Sequence, residues 1–515
     1  MVNINNERRN FFKAMGLGVA SLAFSGCTST SELFGGQTPK KQPNILLCLA
    51  DDWSWPHASI AGDKVVKTPT FDRVAREGVL FENAFVSAPS CTPSRGAILT
   101  GQWHWRLEEG GNLWSTLPAK FDVYPDLLEQ AGYHIGYTRK GWGPGYNEPG
   151  GRTRNPAGPQ YKNFEQFLKA RPQGKPFCFW FGSTDPHRGY EWQSGINSGM
   201  KLEDVEVPAF FPDSEEIRTD ICDYYWEVQR FDTEVGELLE MLKEMGDLDN
   251  TLVVISGDNG MPFPRCKSNL YDLGTNVPLA VRWPSAVKGG RIIEDFVSLA
   301  DLAPMFLEAA GLKPTRDMTA RSFLDVLTSG KSGRVDSKRD HVLTGKERHV
   351  PCQETAMGGY PMRAIRTHDY LYIHNFKPDR WPAGAPKGYS QPTEIVISRP
   401  LGTHYGYSDC DASPTKSYML KYRDDPKVAR LFALAFGKHP AEELYDLRKD
   451  PDQLNNVADR PEYARVESKL AAVLMSELKA TNDPRVLGKG DAFDKYPYYG
   501  GGLKKTPQKP GKEKP

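Results

Sequence analysis

The chain has 515 residues, room for two domains around a sizeable core, and its 39% hydrophobic and 25% charged content is that of an ordinary globular protein. Lysine plus arginine and aspartate plus glutamate number 65 each, for a formal net charge of +0. That balance excludes a global electrostatic preference for nucleic acid or for an anionic membrane, so an anionic partner has to be held by a local patch.

The first 42 residues read as an address and tether. Arg8 and Arg9 lead through Asn10, Phe11, Phe12 and Lys13 into a short apolar run ending at Phe24, which resembles a twin-arginine export signal. Ser25, Gly26 and Cys27 then resemble a lipobox, with cleavage before Cys27 and lipid attached to its thiol. The Ser-, Thr-, Gly- and Pro-rich stretch 28–42 follows as a tether. This predicts export to the periplasm or outer membrane of a bacterium, with the membrane reached through the lipid at Cys27.

Residues 44–50 form a continuous apolar run, as in a strand buried on both faces, and stop at Asp51 and Asp52. A helix is predicted over 70–77, entered through Pro69 and stopped by Gly78, and another over 125–131, with Pro125 first and Gly132 after it. Between them, Cys91, Thr92, Pro93, Ser94 and Arg95 precede a short apolar run. Pro and Ser suit a helix start, which places the Cys91 thiol where amide N–H groups and the positive end of the dipole point. The run 177–181 is a second buried strand and leads into Asp185, Pro186, His187 and Arg188. Ser214 caps a long helix to Met245, with apolar residues every three or four positions and Gly246 at its end. A third buried strand, 251–256, delivers Asp258 and Asn259.

Strands alternating with helices argue for an α/β fold, in which ligands bind beyond the carboxyl ends of the strands. Asp51, Asp52, His187, Asp258 and Asn259 then share one pocket, if the three strands are parallel neighbours. The oxygen ligands Asp51, Asp52, Asp258 and Asn259, with no matching set of histidines, favour a hard cation, Ca2+ first and Mg2+ second, over zinc. Arg95, Lys140, His187 and Lys267 are the candidate positive groups around an anion. Past about residue 345 short strand-like pieces alternate with Gly- and Pro-rich loops, as in a smaller α+β domain. The expected organisation is 1–42 signal and tether, 43–345 catalytic domain, 346–485 smaller domain, and 486–515 a flexible basic tail.

Taken together, Cys91 to Gly101, the lysine turn Tyr137–Pro144, Asp185–Arg188 and Asp258–Tyr271 resemble the type I sulfatases, and within them the heparan N-sulfatase (sulfamidase) branch. The resemblance implies an alkaline-phosphatase-like fold with a mixed, mostly parallel sheet flanked by helices, and bound Ca2+. It also implies that Cys91 is oxidised to formylglycine by a formylglycine-generating enzyme that reads Pro93 and Arg95. The hydrated aldehyde carries two hydroxyls: one attacks sulfur and displaces the alcohol or amine, and the other expels sulfate as the aldehyde re-forms. Cys91, so converted, joins the metal ligands, and His187 becomes a hydrogen-bond partner or proton donor for the leaving group. Two departures stand out. Trp142 occupies the place where most members carry a histidine two residues after the lysine, with His104 or His134 as possible substitutes, and Lys267 stands where the branch has arginine. Arg348 and His349, just after a strand, are candidates to grip a uronate or second sulfate, and Trp103, Trp105 and Trp142 to stack on a sugar ring.

The implied activity is hydrolysis of sulfate from a sulfated oligo- or polysaccharide, either an ulvan-type algal glycan or a heparan-like glycosaminoglycan. Two rivals are a phosphatase or phosphodiesterase of the same superfamily, and a lipoprotein that binds sulfated glycan through an unmodified Cys91.

Overall fold

Seven strands make the central sheet of the computed structural model, which describes residues 42–353, 357–386 and 406–500. The expected signal, Cys27 and all of the tether but Gln42 lie outside these residues. In chain order the strands are β1 (Asn44–Ala50), β2 (Val79–Phe81), β3 (His134–Arg139), β4 (Phe177–Gly182), β5 (Thr251–Gly257), β6 (Leu279–Arg282) and β7 (Arg291–Ile293). Their spatial order is β3-β4-β1-β5-β6-β2-β7. β3, β4, β1 and β5 run parallel, and β6 pairs antiparallel with both of its neighbours. The three apolar runs of the sequence are therefore adjacent and parallel, and their carboxyl ends share one edge.

All seven residues of β1 are buried because both faces of the sheet are covered. Leu46 and Cys48 face a core that contains Phe71 of α1 (Pro69–Glu77) together with Val228 and Phe231. Ile45, Leu47 and Leu49 face a second core with Ile98 of α2 (Cys91–Thr100), Leu128 of α3 (Tyr124–Gln130) and Phe306. Val228 and Phe231 belong to α4 (Glu215–Glu244), whose N-cap hydroxyl, Ser214 Oγ, accepts from the Ile217 amide at 3.3 Å. Phe306 belongs to α5 (Leu302–Ala309).

The smaller sheet is antiparallel, in the order β8 (His341–Lys346), β9 (Met362–Thr367), β10 (Tyr370–Asn375) and β11 (Glu442–Asp446). Leu470, Leu474 and Leu478 of α6 (Ala464–Ala480) share a core with Leu343, Ile365, Tyr372 and Leu444. The residues after 486, expected as a loose tail, are packed as far as Tyr499. Phe493 is 1% exposed in that same core, its carbonyl accepts from Asn112 Nδ2 at 2.9 Å, and the Tyr499 amide donates to the Trp114 carbonyl. Aromatic residues spaced among the glycines and lysines supply apolar area that composition alone discounts.

Strand β3 was not legible as a strand, and it places Lys140. The next strand ends in Gly182, where an added Cβ would lie 1.7 Å from the Lys140 carbonyl oxygen, so only glycine admits the lysine turn this close to the sheet. Among the described residues no helix is long and apolar enough to cross a membrane.

Candidate active site

Four chain segments meet at the carboxyl edge. β1 leads into Asp51 and Asp52, β3 into Lys140, β4 to His187, and β5 to Asp258 and Asn259. Asp52 takes a left-handed backbone with φ of 76°, tolerable for aspartate and held by the bond from its own amide to Asp258 Oδ1 at 3.0 Å. Cys91 is the first residue of α2, with its Sγ 3.4 Å from Asp51 Oδ1 and 3.8 Å from Asp52 Oδ1. Ser90, at the N-cap, makes no side-chain cap bond and pairs its hydroxyl with His349 Nδ1 at 2.9 Å instead. The helix thus begins at Cys91, with no N-cap side chain competing for its first amides, which leaves the dipole's positive end for a ligand.

The cations are arranged in two layers. Lys140 Nζ donates to Asp51 Oδ2 at 2.5 Å, Lys267 Nζ to Asp52 Oδ2 at 2.7 Å, and His187 Nε2 lies 3.9 Å from Asp52 Oδ2. Together with Asp51, Cys91 and His349, these three line a cavity of about 1020 Å3. Arg95 lies behind them, fully buried: its Nε donates to Asp258 Oδ2 at 2.6 Å and its Nη1 to the carbonyls of Lys140 and Gly141, each at 2.9 Å. Arg95 therefore fixes the acid cluster and the lysine turn together, and does not form the cavity wall.

These charges set the protonation states. Burial alone would lift Asp51, yet Lys140, His187, Arg95 and Lys267 outweigh it and hold the carboxyl well below its usual range. Burial pushes the Cys91 thiol far up, against the pull of Lys140 and Lys267, so an unmodified thiol here is neutral and a poor nucleophile. Burial lowers His349 to about 4. Folding thus holds this imidazole neutral while the unfolded chain gains its proton below about pH 6.5. Stability is full at pH 8 and declines as pH falls from 6.5 towards 4, by about 2 kcal/mol at pH 5. Urea unfolding should show that loss in the native protein, and His349→Gln should remove this part of the acid sensitivity; equal slopes in both proteins refute it.

Other expected residues lie elsewhere. Arg348 is 2% exposed, and its guanidinium donates to the backbone carbonyls of Met357, Tyr496 and Pro497, so it anchors the C-terminal segment and does not face the cavity. His104 is buried against Ser87, and His134 stands at the amino end of β3, stacked on Phe167, so neither replaces the histidine displaced by Trp142. Trp103 and Trp105 stack on each other at the core beside the smaller sheet, whereas Trp142 lines the cavity.

The sulfatase family profile matches residues 43–312. The chain belongs to the sulfatase family. A second profile, N-sulphoglucosamine sulphohydrolase, C-terminal, matches residues 266–382. Among curated relatives, an ulvan-active sulfatase of Formosa agariphila is 28% identical over 482 residues, covering 88% of this chain and 84% of its own. Human N-sulphoglucosamine sulphohydrolase is 28% identical over 494 residues, covering 86% and 91%. In fold, the sulfatase matches a crystal structure from Bacteroides fragilis with TM-score 0.63 at 19% identity, over 90% of this chain and 99% of that one. The chain is accordingly a hydrolase of sulfuric esters or sulfamates, built on the alkaline-phosphatase-like sheet.

The donor set of this sulfatase fits a hard divalent cation. Asp51, Asp52, Cys91 and Asp258 each offer a ligand atom, all within 4.8 Å of one another and all buried, and among the described residues no histidine joins this group. Asn259 donates its amide to Asp52 Oδ1 at 2.7 Å while its Oδ1 is buried without a partner among the described residues, an oxygen acceptor whose burial is costly unless a cation or donor meets it.

Asp411 was missed entirely. It lines the same cavity and lies 3.3 Å from Lys267 Nζ, but it sits in an irregular loop with no motif or periodicity to single it out.

Proposed function

We propose that this sulfatase removes sulfate from a carbohydrate, with Cys91 converted to formylglycine as the nucleophile and Ca2+ held by Asp51, Asp52, Asp258, Asn259 and the converted Cys91. The observation that carries the reading is the seat of Cys91: first residue of a ten-residue helix, 2% exposed, against two carboxylates and beside a cavity walled by two lysines. A bound divalent cation would supply positive charge for a sulfate oxygen and favour the ionised hydrate of the aldehyde.

The remaining work falls to side chains. Lys140 and Lys267 stand where the oxygens of a sulfate at Cys91 would lie and offset the charge that develops in the transition state. His187, 39% exposed and open to the cavity, donates a proton to the departing alcohol or amine. Burial pushes the Asp258 carboxyl up, Arg95 pulls against that shift, and the same guanidinium ties Asp258 to the Lys140 turn. Trp142 gives the saccharide an apolar wall, and His349, neutral and bonded to Ser90, meets the sugar near the nucleophile.

The ulvan-active and N-sulphoglucosamine relatives make a sulfated polysaccharide or its fragments the substrate class. Further elements of the reading are maturation by a formylglycine-generating enzyme, export to the periplasm or outer membrane, and a lipid at Cys27. The catalytic portion is assigned to 43–345 and the smaller portion to 346–485. The test is a panel of defined ulvan and heparan oligosaccharides, O- and N-sulfated, scored by release of free sulfate. We expect turnover confined to one sulfate position of one glycan class. Turnover of phosphate esters in preference to every sulfated sugar overturns the reading.

A further inference from the structure

A carboxylate in a pocket built for sulfate needs a reason. Asp411 lines the cavity with its side chain 28% exposed, and like charge bars it from contacting the sulfate itself. Lys267 is held between two carboxylates, Asp52 at 2.7 Å and Asp411 at 3.3 Å. Asp411 is not in the group of prospective metal ligands. Its Oδ2 is the atom that meets Lys267 Nζ, and the part-exposed carboxylate still borders the cavity where a sugar would lie.

The loop that carries it is tied down at both sides. Lys416, 1% exposed in the helix Pro414–Lys421, donates its Nζ to the carbonyls of Gly406 at 3.0 Å, Tyr407 at 3.1 Å and Cys410 at 2.9 Å. Asp409 forms a buried pair with Lys346 at 2.7 Å and accepts from the Val350 amide at 3.0 Å, which locks the loop to the segment bearing His349. The carboxylate is therefore held in place beside Lys267 before any substrate arrives.

From this geometry we infer that Asp411 is a specificity-determining residue: its carboxylate accepts a hydrogen bond from a free hydroxyl on the sugar ring, next to the sulfated position. The inference rests on the carbohydrate reading above and narrows it to sugars whose neighbouring hydroxyl is unsubstituted. A site that offers a fixed acceptor to a ring hydroxyl discriminates against analogues that lack it, because they forgo a hydrogen bond made inside the cavity.

The test compares the mature enzyme with Asp411→Ala and the near-isosteric Asp411→Asn on three substrates. These are the best sulfated oligosaccharide from the panel, its deoxy analogue at the neighbouring position, and p-nitrophenyl sulfate, which has no ring hydroxyl. Expected is a fall of at least about tenfold in kcat/KM for Asp411→Ala on the oligosaccharide, a smaller fall for Asp411→Asn, and a pH profile unchanged in both. On the deoxy analogue and on the aryl sulfate the three proteins should agree within about twofold. Equal losses on sugar and aryl sulfate, or a shifted pH profile, would show that Asp411 acts through Lys267 or His187 and overturn the inference, as would no loss on the sugar. Failure of the carbohydrate reading is seen separately, in the unsubstituted enzyme: turnover of aryl sulfate with none of any saccharide removes both.

Discussion

Replacing Cys91 by alanine should abolish turnover, by on the order of 10^4-fold or more, and leave unfolding by urea within about 1 kcal/mol of the native protein. The thiol is nearly inaccessible, burial keeps it neutral, and its closest polar neighbours are carboxylates. None of that makes a useful cysteine nucleophile, and none of it gives the side chain a large packing role. The informative companion is Cys91→Ser. A single hydroxyl can attack sulfur and displace the leaving group once, but lacks the second oxygen needed to expel sulfate, so this variant should release about one equivalent of product per chain and stop. Peptide mass spectrometry across Cys91, with hydrazide capture of the carbonyl, checks the native protein directly. Retained turnover in Cys91→Ala, or a fully active protein with an ordinary thiol at this position, would remove the proposed chemistry.

Asp258→Asn should do damage of two kinds. Its carboxylate is the buried counter-charge of Arg95 at 2.6 Å, with both side chains wholly inaccessible, and it receives the Asp52 amide that holds the left-handed turn. Neutralising it strands a guanidinium in the interior, at a cost of about 3–5 kcal/mol. It also removes one prospective ligand of the cation, so bound calcium measured by elemental analysis should fall below one per chain and turnover by more than about 10^3-fold. The double variant Asp258→Asn with Arg95→Met separates the two effects: stability should largely return, because no charge is left unpaired, whereas activity should not. Native stability and full metal content in Asp258→Asn would contradict both arguments.

How much of this was legible follows from where the signal lies. Three buried strands announced themselves because a strand covered on both faces has to be apolar at every position, and their polar terminations pointed to one edge. Strand β3 gave no such signal: it starts on the half-exposed His134, contains Gly136 and Thr138, and ends on exposed Arg139, and its glycine is needed because a Cβ would meet the ring of Tyr161 at 2.6 Å. The layering of the charged residues was not legible, since sequence does not distinguish Lys140 on the cavity wall from Arg95 behind it. Arg348 and His349 are neighbours in the chain, yet one anchors the C-terminal segment and the other faces the site. Asp411 joins the site only because the loop from Gly406 folds back over Lys267, a contact between positions far apart in sequence that no local pattern encodes.

The inaccessibility of Cys91 also sets a deadline. Cys91 lines the cavity but is only 2% exposed, and Pro93 and Arg95 on the same helix are buried, so a second enzyme finds little to grasp once the sheet has closed. If Cys91 is converted as proposed, the oxidation is expected on the nascent or still unfolded polypeptide. Protein made without the maturation enzyme should stay inactive when that enzyme is added to it natively folded, and should become responsive only while denatured or as a short peptide spanning Ser90 to Gly101.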